Sequence, residues 1–147
     1  LIYVIDGAGE FATDILRKDN IQTLLNPKRG EVETALESLP ERDVFIIREF
    51  ANLEGNVNGR ALIERAIVDV YFEVTRRRIP FSELEVGRII VNIFRTEKID
   101  ISRLLTFASR RGIRREFESV VSELMPELKL HGDFFKSAQK VIEGIRS

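Results

Sequence analysis

Apolar positions recur along this chain with two different periods, and the change from one to the other divides it. Over the first third, short apolar runs alternate with amphipathic stretches. Leu1 to Ile5 is a continuous run, short enough for a strand buried on both faces. It ends at the turn-forming Asp6-Gly7-Ala8-Gly9, after which Phe11, Ile15 and Leu16 recur at helical spacing up to Asp19-Asn20. Ile21 to Leu25 reads as a second strand. Asn26-Pro27 then predicts a helix start, with Asn26 as the cap and Pro27 in the first turn. Val32, Ala35, Leu36 and Leu39 form the stripe of that helix, and Pro40 ends it. Asp43 to Phe50, built around Val44-Phe45-Ile46-Ile47, is the third strand. The order βαβαβ predicts a small three-stranded parallel sheet with right-handed crossovers, so the fold class is α/β.

The segment from Asn52 to Gly59 is rich in turn formers and reads as a loop or hairpin. Everything after Arg60 reads as helix, about five in all. The first has a wide apolar face of Leu62, Ile63, Ala66, Ile67, Val70, Tyr71 and Val74, opposed by Arg60, Glu64 and Glu73. Arg76-Arg77-Arg78 closes it, and Pro80 forbids continuation. Ser82 and Glu85 have the spacing of a capping box for the next helix, whose core face is Val86, Ile89, Ile90, Ile93 and Phe94. Asp100 caps a third, burying Ile101, Leu104, Leu105 and Ala108, with Gly112 just past its end. Ile113, Phe117, Val120, Val121 and Leu124 define a fourth, ended by Pro126. Asp133 starts a fifth, with Phe134, Ala138, Val141, Ile142 and Ile145 inward. No internal repeat or low-complexity tract is present.

Charge divides the chain at the same place. Residues 1–59 hold 6 basic and 11 acidic residues, a net of -5, whereas residues 60–147 hold 17 and 13, a net of +4. We therefore expect a βαβαβ subdomain over 1–59 and a helical subdomain over 60–147, either separate or integrated. With 147 residues, 44% of them hydrophobic, and a net charge of -1, the chain is an ordinary globular one rather than a disordered one. No apolar run is long enough for a membrane span and no signal peptide opens the sequence, so the expected location is the cytoplasm. The chain opens on Leu1, which reads as a piece of a longer prokaryotic protein. Absent cysteine, two glutamines and 32% charged residues fit a thermophilic source.

Composition also removes chemistries. Without cysteine there is no disulfide, thiolate metal site or thiol nucleophile, and the single histidine, His131, reads as loop. Ser102, Ser109, Ser119 and Ser122 have no histidine close in sequence, and no glutamate-x-lysine follows a strand-borne aspartate as a nuclease would need. No catalytic residue, cofactor or metal ligand is assigned.

Two features carry binding chemistry. Gly7-Ala8-Gly9-Glu10-Phe11-Ala12 is a G-x-G-x-x-A between strand and helix, the setting of the dinucleotide fingerprint. In that reading Gly7 makes the turn, Gly9 lets a pyrophosphate approach the backbone, and Ala12 permits close packing. Asn26 stands where the fingerprint wants a carboxylate, and Asp6 and Glu10 repel phosphate, so a tight glycine turn is the competing reading. The second feature is arginine: Arg76, Arg77 and Arg78, then Arg110, Arg111, Arg114 and Arg115 around Gly112. These clusters predict one basic surface for a protein partner, with nucleic-acid phosphates as the alternative.

Residues 60–73, Arg60-Ala61-Leu62-Ile63-Glu64-Arg65-Ala66-Ile67-Val68-Asp69-Val70-Tyr71-Phe72-Glu73, resemble the pattern x-x-x-E-K/R-A-L-x-D-L-x-x of the C-terminal domain of AbiE-type antitoxins and related transcriptional regulators. Lys98 to Gly112 resembles that family's l-D-l-x-x-L-l-x-y-A-x-r-x-g helix, and the likeness extends over about Val44 to Leu124. The resemblance implies a non-enzymatic domain that neutralises a nucleotidyltransferase-like toxin in a type IV toxin–antitoxin system. Family members carry an N-terminal DNA-binding winged helix, and no winged-helix pattern precedes the matching part here, so DNA binding does not carry over. The leading expectation is thus a protein-interaction domain. A nucleotide-binding protein using Gly7, Gly9 and Ala12, or a nucleic-acid binder using the arginines, is the alternative.

Overall fold

The computed structural model describes residues 1–38, 43–77, 79–80 and 82–124, without the side chains of residues 120, 121 and 124. Leu39, Pro40, Arg78, Pro126, His131 and the helix expected from Asp133 lie outside the described residues. The chain forms two compact units, one of residues 1–59 with 77–80, the other of residues 60–76 and those from 81 on.

The first unit is α/β. Strands β1 (Ile2–Val4), β2 (Gln22–Leu25) and β3 (Val44–Glu49) alternate with helices α1 (Gly9–Lys18) and α2 (Arg29–Ser38). All pairings are parallel, with Ile2 opposite Ile47 and Leu24 opposite Ile46. The order is β1-β3-β2, so the last strand is the central one. Its Ile46, Ile47 and Arg48 are buried, and the Arg48 guanidinium is satisfied by the Pro27 carbonyl at 2.7 Å. Helix α1 packs on β2 and β3 through its smallest residues. Gly9 and Thr13 are buried there, and the Thr13 hydroxyl donates to the Gly9 carbonyl at 2.8 Å. Phe11 and Ile15, expected inward from their spacing, are exposed instead.

Asn26 does not cap α2. Its φ of 46° turns the chain out of β2, and the helix begins only at Arg29. The Glu31 carboxylate accepts the Lys28 N–H, and Lys28 O accepts the Val32 N–H, so the helix start lies two residues later than expected. Val32 is the buried residue of this helix, while Leu36 is exposed.

Arg60-Ala61, read as helix, is strand β5, paired with β4 (Asn56–Val57) in a hairpin. Asn58 and Gly59 at its tip both have positive φ, 51° and 75°, as the primed turn of a two-residue hairpin requires.

The second unit is built from α3 (Ile63–Thr75), α4 (Glu83–Thr96), α5 (Ile101–Arg110) and α6 (Arg114–Leu124). The expected caps form. Ser82 and Glu85 complete a reciprocal capping box, and Asp100 accepts the Arg103 N–H. Gly112, at φ 70°, closes α5, with Ile113 N–H returning to Ala108 O. The core joins Ile67, Val68, Val74, Val86, Ile90 and Phe94 to Leu104, Leu105, Ala108, Ile113 and Phe117. Ile89 is the exception on α4 and stays exposed. Among the described residues no helix is long and apolar enough to cross a membrane.

Candidate functional site

In the first unit the three strand ends converge on one carboxylate. Gly7 adopts φ 85°, which aims its N–H and that of Gly9 into the same space. Both donate at 3.0 Å to one oxygen of Glu49, at the end of central β3. The other Glu49 oxygen accepts the Asn26 side-chain amide at 2.9 Å, and the Glu49 N–H donates back to Asn26 Oδ1 at 3.1 Å. The amide nest at the start of α1 is an anion site, and its anion is the protein's own. A phosphate there would have to displace Glu49, with Asp6 and Glu10 exposed beside it.

Gly9 is also tighter than the fingerprint demands. A Cβ on it would stand 2.4 Å from Leu25 Cδ1 and 2.9 Å from Glu49 Oε1. A bulky side chain at Gly9 is therefore incompatible with this packing. Ala12, the third fingerprint position, is half-buried. Glu49 went unnoticed in the sequence because the fingerprint directs attention to the end of β2. The available signal was a charged pair, Arg48-Glu49, closing an otherwise apolar strand.

The charged residues of α3 are the larger surprise. Glu64 and Glu73, expected opposite the apolar face, are buried, and so are Arg65 and Asp69. Asp69 Oδ2 accepts Arg65 Nε at 3.1 Å, and its Oδ1 accepts Arg111 Nε at 2.8 Å together with Arg111 Nη2. The Arg111 guanidinium also lies 4.9 Å from the centroid of the Phe72 ring. Glu64 Oε1 accepts the Asp100 N–H at 3.0 Å, with Arg103 Nη1 3.7 Å away. Five residues apart on α3, the two carboxylates point to different sides, and each holds one end of α5. Glu64 takes the helix's positive N-terminus and Asp69 the arginine at its C-cap.

The arginines expected to form one basic surface are placed differently from one another. Arg111 is a buried structural residue. Arg76 pairs with Glu116, and Arg114 with Glu118 at 2.8 Å. Arg77 is half-buried in the first unit, and Arg78 lies outside the described residues. Arg110 is exposed, its guanidinium 5.8 Å from the Phe107 ring centroid, and Arg115 is exposed as well.

The helical unit instead opens a cleft of about 620 Å³ along α4. Tyr71, Ile90 and Val91 form its floor, and Glu83, Arg88, Arg95 and Glu123 its charged rim. Leu84, two-thirds exposed, projects at one end. Tyr71 packs edge-on against Phe117, with ring centroids 5.2 Å apart. Burial, reinforced by the nearby Glu116 carboxylate, pushes its phenol pKa up, so the floor stays neutral at physiological pH. Gly87 leaves open space where a side chain would stand. Among the described residues no cluster of acidic residues or histidine could hold a metal ion.

No protein-family model, curated protein or solved structure matches this chain.

Proposed function

We propose that the chain is a non-enzymatic interaction domain whose helical unit receives an amphipathic helical segment of a protein partner in the cleft along α4. The cleft carries this reading. It offers an apolar floor with a charged rim, and an exposed leucine at its end, which is how grooves that take helices are built. Apolar side chains of the incoming helix at i, i+3 or i+4 would meet Tyr71, Ile90 and Val91. Its acidic residues would meet Arg88 and Arg95, seven residues apart and therefore on one face of α4.

The likeness of residues 60–73 and 98–112 to the antitoxin C-terminal domain supplies a partner class, a nucleotidyltransferase-like toxin met in the cytoplasm. The matching Glu64 and Asp69 act as scaffold in this reading, holding α5, while the cleft makes the contact. The test is co-expression with a nucleotidyltransferase-like protein encoded beside this chain, reading growth rescue and co-purification. Rescue by the parent chain and its loss in Gly87→Trp, which fills the cleft, are expected. No rescue by the parent chain rejects the toxin as partner. Rescue by both rejects the cleft.

A further inference from the structure

Helix α1 carries its apolar side outward. Residues Gly9 and Thr13 face the sheet, while Phe11, 71% exposed, and Ile15, 45% exposed, stand on the opposite side about 40° apart. The fold does not need them there: Thr13, 5% exposed, occupies the inward position that a larger apolar residue would ordinarily take. Charge is sorted along the same helix. Glu10 and Asp14 lie in its first half and Arg17 and Lys18 in its second, followed by Asp19 at the C-cap; all are exposed, and the four helical ones lie on the same side of the Phe11–Ile15 stripe, Lys18 and Asp14 nearest to it. The other edge carries the small Ala12, which lets a neighbouring helix come close, and beyond it the half-buried Leu16.

We infer that α1 is a self-association surface that packs antiparallel against α1 of a second copy of this chain. An antiparallel two-fold pair brings each stripe onto its counterpart and keeps the charged edges on the same side of the pair. Arg17 and Lys18 of one copy then meet Glu10 and Asp14 of the other, so the helix is complementary to itself in both shape and sign. A partner carrying one sign of charge would meet repulsion along half of the helix. The surface is independent of the α4 cleft, so the dimer stands or falls apart from the partner reading.

Sedimentation equilibrium of the 147-residue chain tests it, at concentrations up to about 1 mM because one helix pair is a small interface. The chain should dimerise, and Phe11→Ser should weaken the dimer roughly a hundredfold or more, since two-fold symmetry removes two phenylalanines at once. The variant E10K/D14K and the variant R17E/K18E should each be monomeric, because each puts like charges face to face. Mixed one to one, they should form a heterodimer. These are surface changes, and unchanged far-UV circular dichroism checks that each variant folds. A monomeric parent chain, a dimer indifferent to Phe11→Ser, or a mixture that stays monomeric overturns the inference.

Discussion

Asp69 is the residue on which the helical unit should depend most, and replacing it by alanine tests that directly. Its side chain is 5% exposed and lies between Arg65 and Arg111, whose side chains are 7% and 5% exposed. Removing one partner of a buried pair leaves an uncompensated charge in the interior, at a cost of about 3–5 kcal/mol. Here two guanidinium groups lose their shared carboxylate. Arg111→Ala is milder, about 2–3 kcal/mol, because Asp69 keeps Arg65 and the loss is one charged hydrogen-bonded contact plus packing on Phe72. Urea unfolding followed at 222 nm, where the helices dominate the signal, separates the two. At a slope of about 2 kcal/mol per molar, Asp69→Ala should lower the midpoint by roughly 2 M, and Arg111→Ala by about 1 M. The double variant should lose less than the two single losses combined, because the Asp69–Arg111 contact is broken in both single variants and can be lost only once. An Asp69→Ala midpoint within about 0.5 M of the parent, or a larger loss for Arg111→Ala, refutes the buried-triad account. The first outcome would also reopen Arg111 as a docking residue.

Two glycines should respond to alanine with opposite signs. Gly9→Ala forces a methyl against Leu25, which can swing aside, and against Glu49 Oε1, which two amides hold in place, for a loss of about 1–3 kcal/mol in thermal or urea unfolding. Gly87→Ala, in open space within α4, should gain about 0.5–1 kcal/mol from helix propensity, and a loss there would mean that the space is filled. Thr23 has a buried hydroxyl with no hydrogen-bond partner among the described residues, so the near-isosteric Thr23→Val should stabilise the first unit by about 1 kcal/mol; a destabilised variant would show that the hydroxyl is satisfied. The Tyr71 phenol holds its proton more tightly folded than unfolded, so its contribution to stability is complete below pH 10 and is lost as pH rises beyond that. Melting temperatures of Tyr71→Phe should therefore lack that part of the alkaline decline; identical declines in both proteins would contradict the burial of the ring.

Much of the architecture could be read from local pattern. The βαβαβ alternation led to a parallel sheet, and the capping box at Ser82–Glu85, the cap at Asp100 and the turn at Gly112 all form where the residues indicate. Each of these features is decided by groups a few residues apart, through turn geometry or a single capping bond, so a short window of sequence contains the cause. The helical core was legible for the same reason, since helical periodicity marks which aliphatic side chains share a face.

Apart from the hairpin at Asn56–Ala61, which is local, the departures are long-range. Asn26 has the look of a helix cap, but Glu49, 23 residues away, claims both its amide and its carbonyl. Glu49 reaches Gly7 across 42 residues, and Arg111 reaches Asp69 across the same separation. The carboxylates of α3 look like a solvated face because periodicity counts charge as outward. Glu64 and Asp69 are buried because α5 arrives with a complementary charge at each end. Phe11 and Ile15 look like core because periodicity counts apolar residues as inward, yet the sheet accepts only Gly9 and Thr13 at that distance. Periodicity and capping chemistry settled which elements exist and where most of them stop. Which face each element buries, which strand lies at the centre and which charges are structural were settled by long-range packing, because a side chain's neighbours across the fold set the energy of burying it.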